Sequence, residues 1–267
     1  MMPLNPDSLA RSNVTERLFE WQSEDASTPL VTVIVPVFNY AHYVREALDS
    51  VRAQTLSSID LIVIDDASTD DSSGVVTAWL KEHHERFCRA ILLRQVRNSG
   101  LSVVRNLGFQ TARTEFVFPL DADNMIYPTC LEKMTRALAD SRCAFAYCII
   151  ERFGPTADHV DFPLIHLRQW EPSALAESNY IDAMSLFRKQ TWEAAGRYTE
   201  PHRYGWEDYE MWFKVARING RGLHIPQILA RYRVHSASML NTVTNESHAQ
   251  GVLRPYLRET YPEFFAK

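Results

Sequence analysis

The sequence lacks the features that would place it in a membrane or an export pathway. Its longest apolar run, residues 30–38, is far shorter than the roughly 20 residues that cross a bilayer, and it contains a proline. Residues 1–26 hold no apolar signal-peptide core. We therefore expect a cytoplasmic protein with no transmembrane span. Peripheral contact with the inner face of a membrane stays open.

Cysteines are few, and basic residues are neither in excess nor clustered. The four cysteines lack Cys-x-x-Cys spacing, which favours buried thiols over a zinc site or a disulfide framework. The chain has 28 Lys+Arg against 33 Asp+Glu and no basic run, so we expect no nucleic-acid partner. The glycine motifs of dinucleotide oxidoreductases and P-loop enzymes are missing too. Any anion that this protein binds must be held locally.

The first half of the chain alternates apolar strands with helical patterns. The predicted strands are residues 31–37, 59–64, 89–93 and 116–120, and the predicted helices are 41–54, 70–86 and 101–112. This alternation implies right-handed crossovers and a largely parallel sheet covered on both faces. We predict an α/β fold of the doubly wound, Rossmann-like type.

The second half is less regular. Residues 151–177 are predicted to be irregular or a hairpin, and regular structure returns at 183–187, in helices at 189–195 and 206–219, and in a last strand at 228–233. The tail after residue 240 is polar, with a possible helix. The stretch up to Pro29 has a linker-like composition.

Acidic residues follow two strands at the edge where a doubly wound sheet binds ligands. Asp121 and Asp123 would repel each other unless a cation lay between them, and Mg²⁺ or Mn²⁺ takes such oxygen ligands. An acidic turn that caps the next helix is the alternative. Asp65 and Asp66 close a very apolar strand. Asp65 needs hydrogen-bond donors there, for which a nucleobase imide or a ribose hydroxyl would serve.

Two later motifs carry further candidates. Glu207 and Asp208 stand in the first turn of a predicted helix, where the helix dipole favours carboxylates. A carboxylate near tryptophan and tyrosine is also suited to act as a general base. His235 follows the last predicted strand, where a structural histidine and a ligand of Mn²⁺ are both open.

Taken in order, these motifs resemble the family 2 glycosyltransferases of the GT-A fold. The resemblance is carried by VTVIVPVFN (31–39), DLIVIDDASTD (60–70), NSGLSVVRN (98–106), DAD (121–123), GWEDYEMW (205–212) and YRVH (232–235). It implies a nucleotide-diphosphate-sugar donor, most often a UDP-sugar, and a divalent metal. It also implies transfer with inversion to a hydroxyl on a glycan, a lipid-linked sugar or another acceptor.

The resemblance assigns roles on the donor side. The residues that would line the nucleoside pocket are Pro36, Phe38 and Asn39. Asp65 or Asp66 would hold the base, and Arg105 would lie near the ribose or the phosphates.

It assigns roles in the chemical step as well. Asp123 would be the direct metal ligand, with Asp121 contacting the ribose or supporting the ion. His235 would complete the Mn²⁺ or Mg²⁺ site. Asp208 matches the catalytic base, and Glu207 matches the neighbouring acceptor-side residue.

The sequence departs from the family pattern in a few places. Ala67 stands where glycine is frequent, Val104 where alanine is frequent and Asn124 where another aspartate is frequent. No Gln-x-x-Arg-Trp motif is present, which disfavours a processive synthase. A haloacid-dehalogenase-type phosphatase is an alternative, but Met125 stands where that class has Thr or Val. A nucleotide-sugar-binding module without catalysis is the other alternative.

We divide the chain accordingly. Residues 1–28 are predicted to be a polar extension, 29–240 a single GT-A domain, and 241–267 a C-terminal tail. Within the domain, 29–124 would bind the nucleotide, and 125–240 would supply the acceptor and catalytic side. We expect acceptor selection to depend on residues 151–179 and on the tail.

Overall fold

The structure is a computed structural model that describes residues 15–24, 28–155, 157, 162–200, 205–236, 238, 242 and 247–265. The strands within these ranges are β1 (Thr15–Gln22), β2 (Val31–Val37), β3 (Ile59–Asp65), β4 (Arg89–Gln95), β5 (Phe116–Pro119), β6 (Met125–Ile126), β7 (Phe145–Phe153), β8 (Leu164–Ile165), β9 (Leu186–Arg188) and β10 (Gly222–Arg233). The helices are α1 (Val44–Arg52), α2 (Ser72–His83), α3 (Leu101–Thr111), α4 (Cys130–Ala139), α5 (Lys189–Ala194), α6 (Glu207–Arg217) and α7 (Ser247–Thr260).

These strands form one sheet, in the order β1-β4-β3-β2-β5-β9-β7-β10-β6, with β8 beside β7. Its centre, β4-β3-β2-β5, is parallel, and β7 and β10 are parallel to each other. β2 and β3 are buried along their whole length, as expected for valine- and isoleucine-rich strands covered by helices on both faces. Antiparallel pairs join β1, β9 and β6 to this frame. The predicted α/β fold is confirmed.

Alternating side chains of the central strands build two hydrophobic cores. Val33 and Val63 belong to the core formed with α1, α2 and α4. Ile34 and Ile62 belong to the core formed with α3, α5, α6 and α7. Helix α6 buries Tyr209, Trp212, Phe213 and Ala216, which follow the i, i+3, i+4, i+7 spacing of one helix face. Helix α6 is therefore anchored on the same face of the sheet as α3.

The second half contains strands that the sequence interpretation does not include. β7 runs between β9 and β10 and was not predicted. β10 begins at Gly222, six residues before the predicted start at 228, and pairs with β7 from Phe145 onward. A Cβ on Gly222 would lie 2.6 Å from Cζ of Phe145, so glycine leaves the space that the Phe145 ring occupies.

Both predicted tails contribute to the folded unit. β1, within the predicted extension, is an edge strand paired with β4, so the linker-like reading of its composition is wrong for these residues. The helix predicted in the tail is α7. Its Leu253 and Leu257 are buried, as is the following Tyr261. The domain thus uses residues on both sides of the predicted boundaries.

The predictions about membrane spans and about cysteines can be compared with the described part of the chain. No helix there is long and apolar enough to cross a membrane. All four cysteines are free, with Cys88, Cys130 and Cys148 buried and Cys143 half-buried. The expectation of unpaired thiols is confirmed.

Candidate functional site

The loop after β2 holds the first predicted residues. Pro36 is buried in β2, next to Ile64 of β3. Phe38 is 42% exposed at the sheet edge, so its ring is accessible to a ligand. Asn39 adopts the left-handed conformation, with φ of 60°, which asparagine tolerates. Its Oδ1 accepts a hydrogen bond from the Thr69 N–H at 2.8 Å. Asn39 therefore ties the loop after β2 to the loop after β3.

Asp65 and Asp66 bind donors within the chain itself. Oδ1 of Asp65 accepts the Ser68 N–H at 2.8 Å, and Oδ2 accepts a serine hydroxyl from α2. Asp66 accepts the N–H groups of Ser99 and Gly100, each at 2.8 Å, and the Ser99 hydroxyl at 2.7 Å. These bonds meet the need for donors that the sequence analysis assigns to a nucleotide. Contact with a base remains a prediction.

Two departures from the family pattern have physical consequences. Ala67 has φ of 61°, in the left-handed region that favours glycine, so its conformation is strained. Asn124 is buried, and its Oδ1 accepts the Arg233 N–H at 2.9 Å. Nε of Arg233 also donates to the Asp123 carbonyl at 2.8 Å. The end of β10 is therefore fixed to the turn that carries Asp121 and Asp123.

A buried arginine joins the two acidic motifs. Arg105 of α3 is 2% exposed. Its Nη2 donates to Asp121 Oδ1 at 2.7 Å, and its Nη1 donates to Glu207 Oε1 at 2.5 Å. Burial disfavours the charge of Arg105, but Asp121 and Glu207 outweigh burial and hold its pKa well above the usual value. The resemblance implies that Arg105 lies near the ribose or the phosphates. In the structure both terminal nitrogens are bound to carboxylates, which fixes Asp121 relative to α6.

Asp208 lies next to this bridge. Its Oδ2 accepts the Asn179 amide at 3.1 Å, and its Oδ1 accepts the Tyr209 N–H at 2.7 Å. Burial, with the charge of Glu207 adding to it, raises the pKa of Asp208 to about 7. A carboxylate with this pKa can take a proton near neutral pH. Glu207 is bound by Arg105, so Asp208 is the carboxylate of this pair that is better placed to meet a substrate.

Asp123 pairs with His235 on the other side of the turn. Nε2 of His235 lies 3.0 Å from Oδ2 of Asp123, and both side chains are largely buried. Burial, and after it the charge of Asp121, raises the pKa of Asp123. Within the described ranges, no three His, Cys, Asp or Glu side chains form a ready metal site. Of the predicted metal ligands, Asp123 and His235 are paired with each other, and Asp121 is bound by Arg105.

A cavity of about 610 Å³ opens beside the carboxylates, a size typical of small-molecule sites. The predicted residues in its wall are Arg105, Asp121, Glu207 and Asp208. The remaining predicted residues lie outside this wall: Pro36, Phe38, Asn39, Asp65, Asp66, Asp123 and His235. The structure thus brings the two catalytic candidates together with Arg105 and Asp121 in one cavity, and the other nucleoside and metal candidates lie outside its wall.

The cavity wall also contains residues that no motif nominated: Asn179, Tyr180, Asp182, Trp206 and Tyr232. Trp206 and Tyr232 lie within the family motifs but have no assigned role there. Asp182 precedes a short apolar pattern and follows an irregular segment, so its sequence surroundings carry no signal of a site. Part of the segment expected to govern acceptor choice, residues 164–168 and 178–179, does line the cavity.

Comparison with known proteins supports the resemblance. Residues 32–193, more than half of the chain, match the family model described as glycosyl transferase family 2. An uncharacterized glycosyltransferase of Rickettsia typhi is 27% identical over 242 residues, which cover 84% of this chain and 70% of that protein. The family match excludes the phosphatase alternative, and the named relative supports an enzyme over a binding module without catalysis.

Solved structures show the same fold. TarS of S. aureus, in complex with UDP-GlcNAc, has a TM-score of 0.67 at 18% identity, with coverage of 80% of this chain and 61% of that chain. The mannosyltransferase PcManGT of Pyrobaculum calidifontis, with GDP-Man and Mn²⁺, has a TM-score of 0.62 at 21% identity, with coverage of 89% and 65%. The chain thus spans less than two thirds of either structure, and the likeness establishes the GT-A fold alone. With its fold and its matched residues together, the chain belongs to glycosyl transferase family 2.

Proposed function

We propose that this glycosyltransferase moves a sugar from a nucleotide-diphosphate sugar, in the first instance a UDP-sugar, to an acceptor hydroxyl with inversion at the anomeric carbon. Asp208 acts as the general base, and a divalent cation assists. The enzyme adds one sugar or a few, since the sequence has no Gln-x-x-Arg-Trp motif.

The observation that carries this proposal is the Arg105 bridge. One buried guanidinium binds Asp121 at 2.7 Å and Glu207 at 2.5 Å. It therefore holds the acidic turn after β5 and the first turn of α6 at the same cavity. A reaction that joins a charged donor to a neutral acceptor needs both groups at a fixed separation. An ion pair buried in this way costs desolvation energy, which is consistent with a role in positioning.

Residues suited to a divalent cation lie at the turn after β5. Asp121, Asp123 and His235 offer the oxygen and nitrogen donors that Mn²⁺ takes, and the first two also suit Mg²⁺. Burial, and after it the charge of Asp121, raises the pKa of Asp123, and a cation beside the two carboxylates would favour their charged forms. When bound, the cation would offset charge on the departing diphosphate.

The residues of the chain account for the proton transfer. Asp208 takes the proton of the acceptor hydroxyl as that oxygen attacks the anomeric carbon. The Asn179 amide, at 3.1 Å from Oδ2, orients the carboxylate. Glu207 forms an ion pair with Arg105, and its charge helps to raise the pKa of Asp208. A single displacement of this kind inverts the configuration. A retaining route would need a second carboxylate as nucleophile.

The nucleoside is proposed to lie along the edge formed by the loops after β2 and β3. Phe38 presents an exposed ring there, and Asp65 and Asp66 are rigidly held by donors of the chain. TarS, which has the same fold, was solved with UDP-GlcNAc. PcManGT was solved with GDP-Man. We expect uracil first and guanine second.

The proposal is tested by a donor screen. Purified protein is incubated with a panel of UDP- and GDP-sugars and Mn²⁺, and the release of nucleoside diphosphate is measured. We expect release from at least one UDP-sugar and background levels in EDTA. Asp123→Asn should reduce release, whereas the exposed Asp140→Asn, a matched change of charge just after α4, should not. No release from any donor would refute the function, and full turnover in EDTA would refute the metal.

A further inference from the structure

We propose that Asp182 is a second substrate-binding carboxyl, which holds a hydroxyl of a sugar acceptor next to the hydroxyl that Asp208 deprotonates. The inference rests on the proposed function and deepens it, because it names a saccharide as the acceptor class. It assigns a binding role to a residue that no sequence motif nominates.

The backbone around Asp182 is fixed to two parts of the fold. Its N–H donates to Nε2 of His166 at 2.7 Å, and Nδ1 of His166 donates to the Cys148 carbonyl of β7 at 3.1 Å. The preceding carbonyl, of Ile181, accepts the indole N–H of Trp212 from α6 at 2.7 Å. Asp182 is therefore held at a set position relative to the helix that carries Asp208, which is what a site that aligns two hydroxyls requires.

The side chain of Asp182 keeps one oxygen available. Oδ1 accepts the Met184 N–H at 2.9 Å, and within the described ranges no hydrogen-bond donor reaches Oδ2. The carboxyl lines the cavity, as does Asp208. This arrangement differs from that of Asp66, whose two oxygens accept three donors of the chain. An available carboxyl oxygen in the wall of a cavity calls for a partner on the ligand.

The local charge favours a neutral ligand at this point. Burial raises the pKa of Asp182 to about 8, and the charges of Asp121 and Asp208 add to the effect. The carboxyl is therefore protonated at neutral pH and can donate to a hydroxyl as well as accept from one. The same negative charges would repel a phosphate here. The wall also contains the cations Arg105, Arg152, Arg168 and Arg254. Of these, Arg105 is paired with Asp121 and Glu207, and Arg168 is paired with Glu171 at 3.4 Å and Glu177 at 3.1 Å.

The rest of the wall matches the surface of a sugar. Flat aromatic rings line the cavity, and they are Tyr180, Trp206, Tyr209 and Tyr232. Such rings pack against the C–H face of a pyranose, whereas planar amides and carboxyls bind its hydroxyls. The Asn179 amide already donates to Asp208, and its Oδ1 is buried without a partner. Apolar faces and a few convergent polar groups are the usual composition of a specific small-molecule site.

The test measures binding, so it does not depend on turnover. Full-length protein with UDP and Mn²⁺ is titrated by NMR with methyl glycosides of glucose, galactose, mannose and N-acetylglucosamine, and with the corresponding disaccharides. We expect at least one of them to bind. Asp182→Ser, whose hydroxyl can still accept the Met184 N–H, should raise the Kd for that saccharide about tenfold or more. Asp182→Asn keeps the shape and the hydrogen-bonding groups and should retain most of the affinity. Asp140→Asn is the matched remote control.

The outcomes separate this inference from the proposed function. Failure of the protein to bind UDP, or to release a nucleoside diphosphate in the donor screen, would remove the proposed function itself. If UDP binds, the acceptor assignment is overturned by any of three results. These are no binding of any saccharide in the panel, unchanged affinity in Asp182→Ser, or equal loss in Asp182→Asn and Asp182→Ser. A polyprenyl phosphate that binds where no glycoside does would also overturn it.

Discussion

Asp66 and Asp208, one in each half of the domain, lie in opposite environments. Asp66, in the first half, accepts three hydrogen bonds from the loop before α3. Asp208, in the second half, accepts one amide at 3.1 Å and a backbone N–H, and it lies beside Glu207. Asp182 has one oxygen bonded and one available. Asp66 thus completes the scaffold, while Asp208 and Asp182 are left for a ligand.

This difference in hydrogen bonding distinguishes a carboxylate that holds the fold together from one that can react. A carboxylate that accepts several N–H donors is stabilised in its charged form and is a poor base. A carboxylate that is buried with few donors and near like charge has a raised pKa, as Asp208 does at about 7. Functional sites are often less stable than the scaffold that holds them. The following predictions test whether the two groups behave as differently as their surroundings imply.

The largest effect is expected from Asp208→Asn. The amide cannot take a proton, so transfer should fall about 10²- to 10⁴-fold, while the affinity for UDP stays close to that of the unaltered protein. Initial rates with the donor found in the screen and a separate UDP titration provide both numbers. Undiminished transfer would remove Asp208 from the mechanism.

Arg105→Met should have the next largest effect, because it removes the bridge between Asp121 and Glu207. Asp121 and Glu207 would be left without their shared cation, and loss of one partner of a buried ion pair costs about 3–5 kcal/mol of unfolding free energy. Urea denaturation measures this loss. The matched control is Arg97→Met, an exposed arginine outside the bridge, which should change stability far less. Equal losses in the two variants would mean that the bridge does not hold the fold together.

The pH dependence of transfer should follow Asp208. Its folded-state pKa of about 7 lies above the ordinary value because of burial and Glu207. The active form is the deprotonated one, so kcat/KM should rise about tenfold per pH unit below 7 and level off above it. Rates from pH 5 to 9 at constant ionic strength provide the profile. A flat profile from pH 5 to 7 would contradict the assignment of the base.

The smallest effect is expected from Asp66→Asn. An amide has one acceptor oxygen where the carboxylate has two, so some of the N–H donors of Ser99 and Gly100 lose their partner. The unfolding free energy should fall by about 1–3 kcal/mol. The kcat of transfer should change less than in Asp208→Asn. A loss of kcat as large as that of Asp208→Asn would erase the distinction between the two groups of carboxylates.

The sequence predicts the first half of the fold well, because its pattern is local. β2 and β3 are short valine- and isoleucine-rich runs, and each is followed directly by a helix. Predicted and observed ends differ by no more than about three residues, the usual uncertainty of such boundaries. The acids at the strand ends follow from the same pattern, since parallel strands bring their carboxyl ends to one edge.

The second half could not be predicted to the same extent, because its structure depends on contacts distant in sequence. β7 is a strand only between β9 and β10, and β1 is a strand only against β4. The Arg105 bridge joins residues 102 positions apart. Asp182 owes its place to His166 and to Trp212. No local spacing encodes such neighbours, so a motif can identify a carboxylate without revealing what binds it.

The most direct test of the contrast between the halves is to measure the unfolding free energies of Asp208→Asn and Asp66→Asn in parallel by urea denaturation at pH 8. Asp208→Asn removes a charge that is buried beside Glu207, so we predict that it is at least as stable as the unaltered protein. Asp66→Asn should be less stable. A large loss of stability in Asp208→Asn, with none in Asp66→Asn, would contradict the account.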